Sequence, residues 1–345
     1  MCPETNTPSG ERSTPRSAGP QSSEGASNAS VSSGMEVSRE RQARPHEPES
    51  EPLRVGVLLP GETAPRWMKR AIERLVAETD VEITHVVVND TGGPDDLSDF
   101  LAQSPVDEFR EYVSSCLGRL QNYPLWAATG VVRQFGPVPE YQEPTRIDAI
   151  DGVPDADRFR CEPVPAAGFG NRLPADVAET VGTNTDVVVR FGFGVLKGDF
   201  LEMPTHGVLS FHRGDLESYR GQPGGLWEFL NDEPTAGVTL QRIDDSLDGG
   251  EVVVEDEVDI ADVHTWREVE RRQIAACEEM LTDGILRLQD PDHEPEPPDS
   301  LGALYTIPSG TEVLHYVGKT AVGHLRSQFS ERDAPETRRR TELPD

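Results

Sequence analysis

The segment from residue 53 to residue 88 constrains the fold most, because it combines two apolar runs with an amphipathic helix between them. The first run, LRVGVLL, ends at a Pro-Gly pair and is typical of a parallel strand that is buried on both faces. A helix is predicted from about Ala64, and the run VEITHVVV is predicted to form the next strand. Two parallel strands joined by a helix form a βαβ unit with a right-handed crossover.

The same alternation of strands and helices continues later in the chain. Strands are predicted at 159–165, 186–189, 207–211, 238–243 and 251–258, and helices at 173–181, 198–203, 225–230 and 266–288. This pattern predicts an α/β fold with a Rossmann-like, mostly parallel twisted sheet flanked by helices.

The chain divides by composition into three regions. Residues 1–52 are rich in Ser, Pro, Glu and Gly, and we predict that they are disordered because they cannot bury enough apolar surface to offset the ordering entropy. Residues 53–290 are predicted to form the main α/β domain, with a helical insertion at about 90–150 that includes a helix around 109–120. Residues 291–345 are predicted to be a linker, a small extension that packs back on the domain, and a charged tail.

The charge of the chain is strongly negative, with 62 acidic against 32 basic residues and a formal net charge of -30. Only three of the basic residues are lysines: Lys69, Lys197 and Lys319. We interpret this composition as adaptation to a cytoplasm of very high salt, where carboxylates keep a surface solvated. An ordinary acidic protein is the alternative. The absence of a basic stripe also argues against a nucleic-acid partner.

Targeting and covalent features indicate a cytoplasmic protein. The N-terminal sequence has no apolar core typical of a signal peptide, and no run approaches the ~18 apolar residues of a membrane span. Four cysteines lie far apart without a CxxC pair, which predicts reduced thiols and neither a disulfide framework nor a metal site.

The high-salt interpretation predicts that the protein loses structure below roughly molar salt. Self-repulsion in a chain of net charge -30 grows as the screening length increases from ~3 Å at 1 M to ~10 Å at 0.1 M salt. Circular dichroism during dialysis out of concentrated KCl measures this loss. An unchanged spectrum in low salt would contradict the interpretation.

Polar residues that can carry chemistry lie at the end of one predicted strand. Ser210 and His212 occupy alternate positions and therefore point the same way, at the edge where α/β folds bind ligands. Asp248 follows further along the chain in an Asp-Gly-Gly sequence. An imidazole beside a carboxylate can polarise a carbonyl or relay a proton. Taken separately, a structural histidine and a hairpin turn are the alternative interpretations.

A glycine-containing loop follows the preceding strand. It consists of Phe191, Gly192, Phe193, Gly194, Val195 and Leu196. Two glycines at the end of a strand allow another group to approach the backbone closely, although a tight turn is the alternative. No GxGxxG opens a helix here, so the loop is not a dinucleotide fingerprint.

Residues 210–253, SFHRGDLESYRGQPGGLWEFLNDEPTAGVTLQRIDDSLDGGEVV, resemble the formyltransferase family. That family uses 10-formyltetrahydrofolate and includes glycinamide ribonucleotide, methionyl-tRNA and sugar N-formyltransferases. Its pattern is Asn-x-His, then Tyr/Phe-Arg/Lys-Gly, a Thr-Gly-Val-Thr strand and an Asp-x-Gly-x-Ile turn. Upstream, DVVVRFGFGVL is similar to the family's strand and folate loop, so the resemblance is specific from about Asp186 to Val254.

The resemblance implies a role for each matching residue. His212 corresponds to the catalytic histidine and Asp248 to the catalytic aspartate, whereas Ser210 stands where the family has asparagine. The backbone of the 191–196 loop and of the turn at Leu247 would hold the pterin of 10-formyltetrahydrofolate, and no metal is implied. Arg220 and Arg213 are candidate contacts to an anionic substrate.

The resemblance implies formyl transfer to the amine of a small molecule, since this acidic chain shows no RNA-binding domain. Two alternatives remain open: hydrolysis of the formyl donor, in which water replaces the amine, and a binding protein that kept the fold without catalysis. Ser210 is the point of departure, because a serine offers one hydroxyl donor on a shorter stem than an asparagine amide. We interpret Ser210 as the working residue of a divergent subgroup. The sequence indicates neither the amine nor the oligomeric state.

Overall fold

The structure is a computed structural model, and it describes residues 51–91, 125–126, 128–130, 138–167 and 169–333, with side chains to residue 326. The predictions for residues 1–50, for the helix around 109–120 and for the tail beyond 333 lie outside this part of the chain. Between 138 and 150, the described part of the predicted insertion consists of two short 3-10 turns and one short strand.

Thirteen strands and five α-helices make up the described chain. The strands are β1 Leu53–Leu59, β2 Thr63–Pro65, β3 Val81–Asn89, β4 Pro144–Arg146, β5 Asp157–Cys161, β6 Val164–Pro165, β7 Asn171–Arg172, β8 Val187–Arg190, β9 Val208–Arg213, β10 Tyr219–Gly221, β11 Thr235–Arg242, β12 Glu251–Asp259 and β13 Ala303–Tyr305. The helices are α1 Arg66–Glu78, α2 Ala175–Asn184, α3 Leu226–Leu230, α4 Trp266–Gln289 and α5 Thr311–Asp333.

Seven strands form one sheet in the order β12-β11-β9-β8-β1-β3-β5. Five adjacent strands, β9, β8, β1, β3 and β5, run parallel to one another. Strand β11 pairs antiparallel with both β9 and β12. The chain first moves from β1 to β3 and β5, and then returns to the other side of β1 at β8. The strand order therefore reverses between β1 and β8, where open α/β sheets form their ligand crevice.

Helices cover both faces of this sheet. Helices α1 and α4 pack on one face, where Leu75 and Leu281 join the core of the central strands. Helix α2 and the 3-10 turn at Asp199–Glu202 cover the other face through Val181 and Phe200. The apolar faces of these helices pack on both faces of the central strands. Because the strands are buried on both faces, their sequences are continuous hydrophobic runs.

Most predicted elements are confirmed, with differences at their ends. β1 has the predicted bounds, and the mostly parallel sheet is confirmed. The single strand predicted at 159–165 is wrong: β5 ends at Cys161, because Pro163 has no N–H to continue the ladder, and β6 pairs separately with β7. The predicted helix at 198–203 is a short 3-10 turn.

Helix α5 and strand β13 follow residue 300, where the sequence predicts only a small extension. β13 pairs with β10, so it lies beside the segment that follows β9. Among the described residues, no helix has the length and apolar character needed to cross a membrane.

Candidate functional site

Three adjacent strands bring polar residues into one row. Arg190 ends β8 and is the register partner of Ser210 in β9, and Ser210 in turn faces Gln241 in β11. His212 lies two residues further along β9, on the same face as Ser210, opposite Thr239. Pairing between strands therefore places the arginine, the serine and the histidine at one edge of the sheet.

His212 and Asp248 face each other at this edge. His212 Nδ1 lies 3.5 Å from Asp248 Oδ1, and the imidazole is only 8% exposed. His212 Nε2 and Asp248 Oδ2 are both buried, and neither has a hydrogen-bond partner among the described residues. Buried polar atoms are normally hydrogen-bonded, and exceptions need a functional explanation. The pair therefore presents one nitrogen and one oxygen to whatever occupies the neighbouring space.

The turn that carries Asp248 is held by several polar contacts. Arg220 Nη1 donates to the carbonyl oxygen of Leu247 at 3.2 Å, and Gly198 N–H donates to Asp245 Oδ1 at 2.7 Å. Asp248 itself has φ of 60°, a left-handed conformation that aspartate tolerates better than most residues. A side chain at Gly250 would lie 2.3 Å from the carbonyl oxygen of Arg242, so the close approach of the turn requires glycine.

The loop at 191–196 lies beside this turn. Phe193 is buried in the core at 2% exposure, and Phe191 packs edge-on against Trp67 at 5.5 Å between ring centroids. Gly192 approaches Pro60 so closely that a Cβ atom would lie 2.9 Å from the proline nitrogen. The two aromatic side chains therefore anchor the loop.

An open cavity of about 440 Å³ lies between the loop and the turn. Its lining residues are Arg190, Val195, Leu196, Ser210, Phe211, His212, Gln241, Ile243, Asp244, Ser246, Leu247, Asp248 and Gly250. The predicted residues Ser210, His212, Asp248, Val195, Leu196 and Leu247 thus share one cavity.

The two arginines that sequence analysis predicts as substrate contacts lie outside this lining. Arg213 is on the face of β9 opposite His212, within electrostatic range of the Cys277 thiol in α4. Arg220 supports the turn at Leu247. The lining instead contains Arg190, which sequence analysis did not single out. The sequence does contain a signal for Arg190, because it ends a buried strand whose other residues are all valine. A charged residue at such a position is uncommon and indicates a functional or structural role.

A second carboxylate lies behind the histidine. Glu228 of α3 is 2% exposed, and its Oε1 accepts the N–H of Asp215 at 3.2 Å. A Cβ atom at Gly214 would lie 3.2 Å from His212 Nε2 and 3.4 Å from Glu228 Oε1, so Gly214 separates the two side chains. Burial raises the pKa of Glu228 to about 7, mainly because the carboxylate is desolvated.

The raised pKa of Glu228 predicts a pH-dependent loss of stability that Glu228→Gln should remove. Stability from the protonated carboxyl is fully present below the usual pKa of 4.5 and is lost as pH rises through about 7. At pH 8 the wild type should have lost up to about 3 kcal/mol relative to pH 4.5, since one pKa unit corresponds to about 1.4 kcal/mol. The glutamine variant should not lose this amount.

Denaturant unfolding across that pH range in concentrated KCl measures the difference between wild type and Glu228→Gln. The exposed residue Glu179 in α2 provides the matched control, because Glu179→Gln should follow the wild-type pH dependence. A constant difference between wild type and Glu228→Gln at every pH would contradict the raised pKa.

The fold and the site together define an α/β protein with an open cavity at the carboxyl ends of its central parallel strands, where such folds place ligands. Residues 165–285 match the family model described as Formyl transferase. The match covers β8, β9, the turn and most of α4. It confirms the resemblance to formyltransferases that residues 186–254 predict.

Two curated relatives each match a part of the chain. A methionyl-tRNA formyltransferase of Citrifermentans bemidjiense is 29% identical over 135 residues, which are 39% of this chain and 42% of the relative. A methionyl-tRNA formyltransferase of Thermotoga neapolitana is 31% identical over 118 residues, which are 32% of this chain and 38% of the relative. The match therefore spans about two fifths of the length of these relatives.

Solved structures are similar over a longer stretch at lower identity. Glycinamide ribonucleotide transformylase 1 from Symbiobacterium toebii has a TM-score of 0.45 and 16% identity, with coverage of 73% of this chain and 96% of that chain. A formyltetrahydrofolate deformylase from Pseudomonas syringae pv. tomato has a TM-score of 0.45 and 15% identity, with coverage of 72% of this chain and 67% of that chain.

Proposed function

We propose that the protein transfers a formyl group from 10-formyltetrahydrofolate, or an equivalent reduced pterin, to the amine of a small molecule. The observation that carries this proposal is the His212–Asp248 pair, which leaves Nε2 and Oδ2 buried and unpartnered by the described residues beside one cavity. The formyl transferase match over residues 165–285 supports it. The catalytic unit would be residues 53–290, with the following segment as an extension.

The lining of the cavity offers both apolar and polar contacts to a formyl donor. Val195 and Leu196 offer apolar contact on one side, and the backbone from Ser246 to Asp248 offers polar groups on the other. We infer that these segments hold the pterin. The bound donor supplies the carbonyl carbon that the amine attacks.

His212 and Asp248 would divide the work of moving charge and protons. Asp248 takes a proton from the attacking nitrogen, directly or through water, as the new carbon–nitrogen bond forms. His212 stabilises the negative charge that develops on the formyl oxygen. The bond to the folate nitrogen then breaks, and a proton is returned to that nitrogen. Ser210, the third polar residue of the site, lies beside His212 and can also donate to the formyl oxygen.

The identity of the formyl acceptor is less constrained by the site than the identity of the formyl donor. A net charge of -30 favours a small amine over a polyanion such as tRNA. Transfer to a tRNA is nevertheless the second candidate, because methionyl-tRNA formyltransferases are among the relatives that match a part of this chain. Hydrolysis of the donor by the same residues is the third, with water in place of the amine.

A single assay in concentrated KCl separates these functions. The protein is incubated with 10-formyltetrahydrofolate alone, with amino sugars, nucleotide-linked amino sugars or glycinamide ribonucleotide, and with methionyl-tRNA. We expect tetrahydrofolate release that depends on a small amine. Formate release without any amine would identify a hydrolase instead. Stabilisation by 5-formyltetrahydrofolate in a thermal shift, with no turnover on any acceptor, would identify a binding protein and overturn transfer.

A further inference from the structure

Arg190 is the basic residue of the cavity lining, and the proposed mechanism leaves it without a role. It ends β8 directly beside Ser210 of β9, and both residues line the cavity with His212 and Asp248. Desolvation lowers the pKa of Arg190, whereas the charge of Asp248 acts in the opposite direction. A guanidinium stays protonated in proteins in spite of such burial. The cavity therefore contains a permanent positive charge.

The guanidinium is fixed in place by three hydrogen bonds. Arg190 Nε and Nη2 both donate to Ser210 Oγ, at 3.1 and 2.5 Å. Arg190 Nη1 donates to the carbonyl oxygen of Gly194, in the loop beside the cavity. Arginine presents its donors in a rigid planar fork, so these contacts also fix its orientation.

The two bonds from Arg190 determine what the Ser210 hydroxyl can do. A hydroxyl has two acceptor lone pairs and one proton, and the guanidinium occupies the acceptor side. The Ser210 proton must therefore point away from Arg190. Hydrogen bonds in a chain polarise one another, so a hydroxyl that accepts from a cation is a stronger donor.

We propose that Arg190 and Ser210 form one paired donor, in which Arg190 aligns and polarises the Ser210 hydroxyl toward the oxygen that becomes negative during formyl transfer. The inference rests on the proposed function. Ser210 is the group that touches the reacting oxygen, and Arg190 is a positioning residue that acts through it. A serine hydroxyl reaches less far than the family's asparagine amide, and it is a neutral donor. The positive charge of Arg190 compensates because it makes the hydroxyl a stronger donor. No bond to Arg190 or Ser210 forms or breaks in the reaction.

The kinetic test uses Arg190→Met, Ser210→Ala and the double variant, with 10-formyltetrahydrofolate as donor and the amine that supports turnover. Ser210→Ala should lower kcat about 10²-fold and Arg190→Met about 10- to 10²-fold, with KM for the donor changed less than about threefold. Because both variants remove the same donor, the double variant should be at most a few-fold slower than the slower single variant. Arg190→Lys should recover activity only partly, since an ammonium lacks the fork.

Arg54→Met is the matched control, because Arg54 lies near the start of β1, away from the cavity, and is ion-paired to Asp186. It should leave kcat unchanged. An unchanged kcat in Arg190→Met, losses that multiply in the double variant, or a pure rise in KM would each overturn the paired donor. A pure rise in KM would instead indicate that Arg190 binds an anionic group of the substrate.

A measurement without turnover tests the pairing itself and serves if Arg190→Met does not fold. In the ¹H–¹⁵N spectrum, the Arg190 Nε signal should shift and exchange faster with water in Ser210→Ala, because Nε–H loses its acceptor. An unchanged signal would overturn the pairing. If the wild type transfers formyl to no acceptor, the proposed function fails, and with it the inference. An active wild type with an insensitive Arg190 overturns the inference alone.

Discussion

Replacing His212 with alanine should lower kcat for formyl transfer by about 10²–10³-fold, the range expected for the loss of one group that stabilises the developing negative charge. The Nδ1 atom of His212 is 3.5 Å from Asp248, and its Nε2 is buried without a partner among the described residues. Alanine removes both ring nitrogens. Steady-state release of tetrahydrofolate measures the effect.

The control for His212→Ala is a histidine at the opposite end of the same strand. His206 precedes β9, at the edge of the sheet opposite the cavity, and it is half-buried. His206→Ala should keep kcat within about threefold of the wild type. Equal losses in the two variants would indicate damage to β9 and not loss of a catalytic group. Full activity in His212→Ala would contradict the catalytic assignment.

The order of strands and helices could be predicted because it depends on local patterns. Runs such as LRVGVLL are apolar on both faces and leave one interpretation, a buried parallel strand, and β1 has the predicted bounds. The pairing of β10 with β13 could not be predicted. It joins two three-residue strands that are far apart in the sequence, and neither has a hydrophobic pattern of its own.

Helix α5 was missed for a related reason. Its apolar residues are spread over the helix and several are exposed, Leu314 at 62% and Leu325 at 58% among them. Without an apolar stripe, helical periodicity gives no signal. The sequence therefore predicts only an extension that packs back on the domain.

Only part of the site could be predicted, because the sequence does not show in which direction most side chains point. Ser210 and His212 follow from the alternation along one strand, which the sequence shows directly. Arg190 belongs to another strand, and its contact with Ser210 depends on the register between β8 and β9. Arg220, a candidate contact to the substrate, donates to the Leu247 carbonyl. Register and rotamers are set by tertiary packing, which a single sequence does not display.

Asp248→Asn should lower kcat by about 10²–10³-fold while the donor still binds. The substitution keeps the shape of the side chain but removes the carboxylate that is proposed to take the proton of the attacking amine. Asparagine also tolerates the left-handed backbone, φ 60° at this position, so the turn should keep its conformation. Thermal stabilisation by 5-formyltetrahydrofolate should match the wild type, and loss of kcat with retained binding is the expected signature.

Asp245→Asn provides the matched control for Asp248→Asn, because it changes an aspartate of the same turn that lies outside the cavity lining. Its side-chain oxygen accepts the N–H of Gly198, and an asparagine oxygen can still accept that bond. The control should therefore keep both kcat and donor binding. If Asp248→Asn lost donor binding in parallel with kcat, the carboxylate would be holding the turn or the pterin. If it kept full activity, proton removal would have to be assigned to another group, and Glu228, behind His212, is the buried carboxylate that would then be tested.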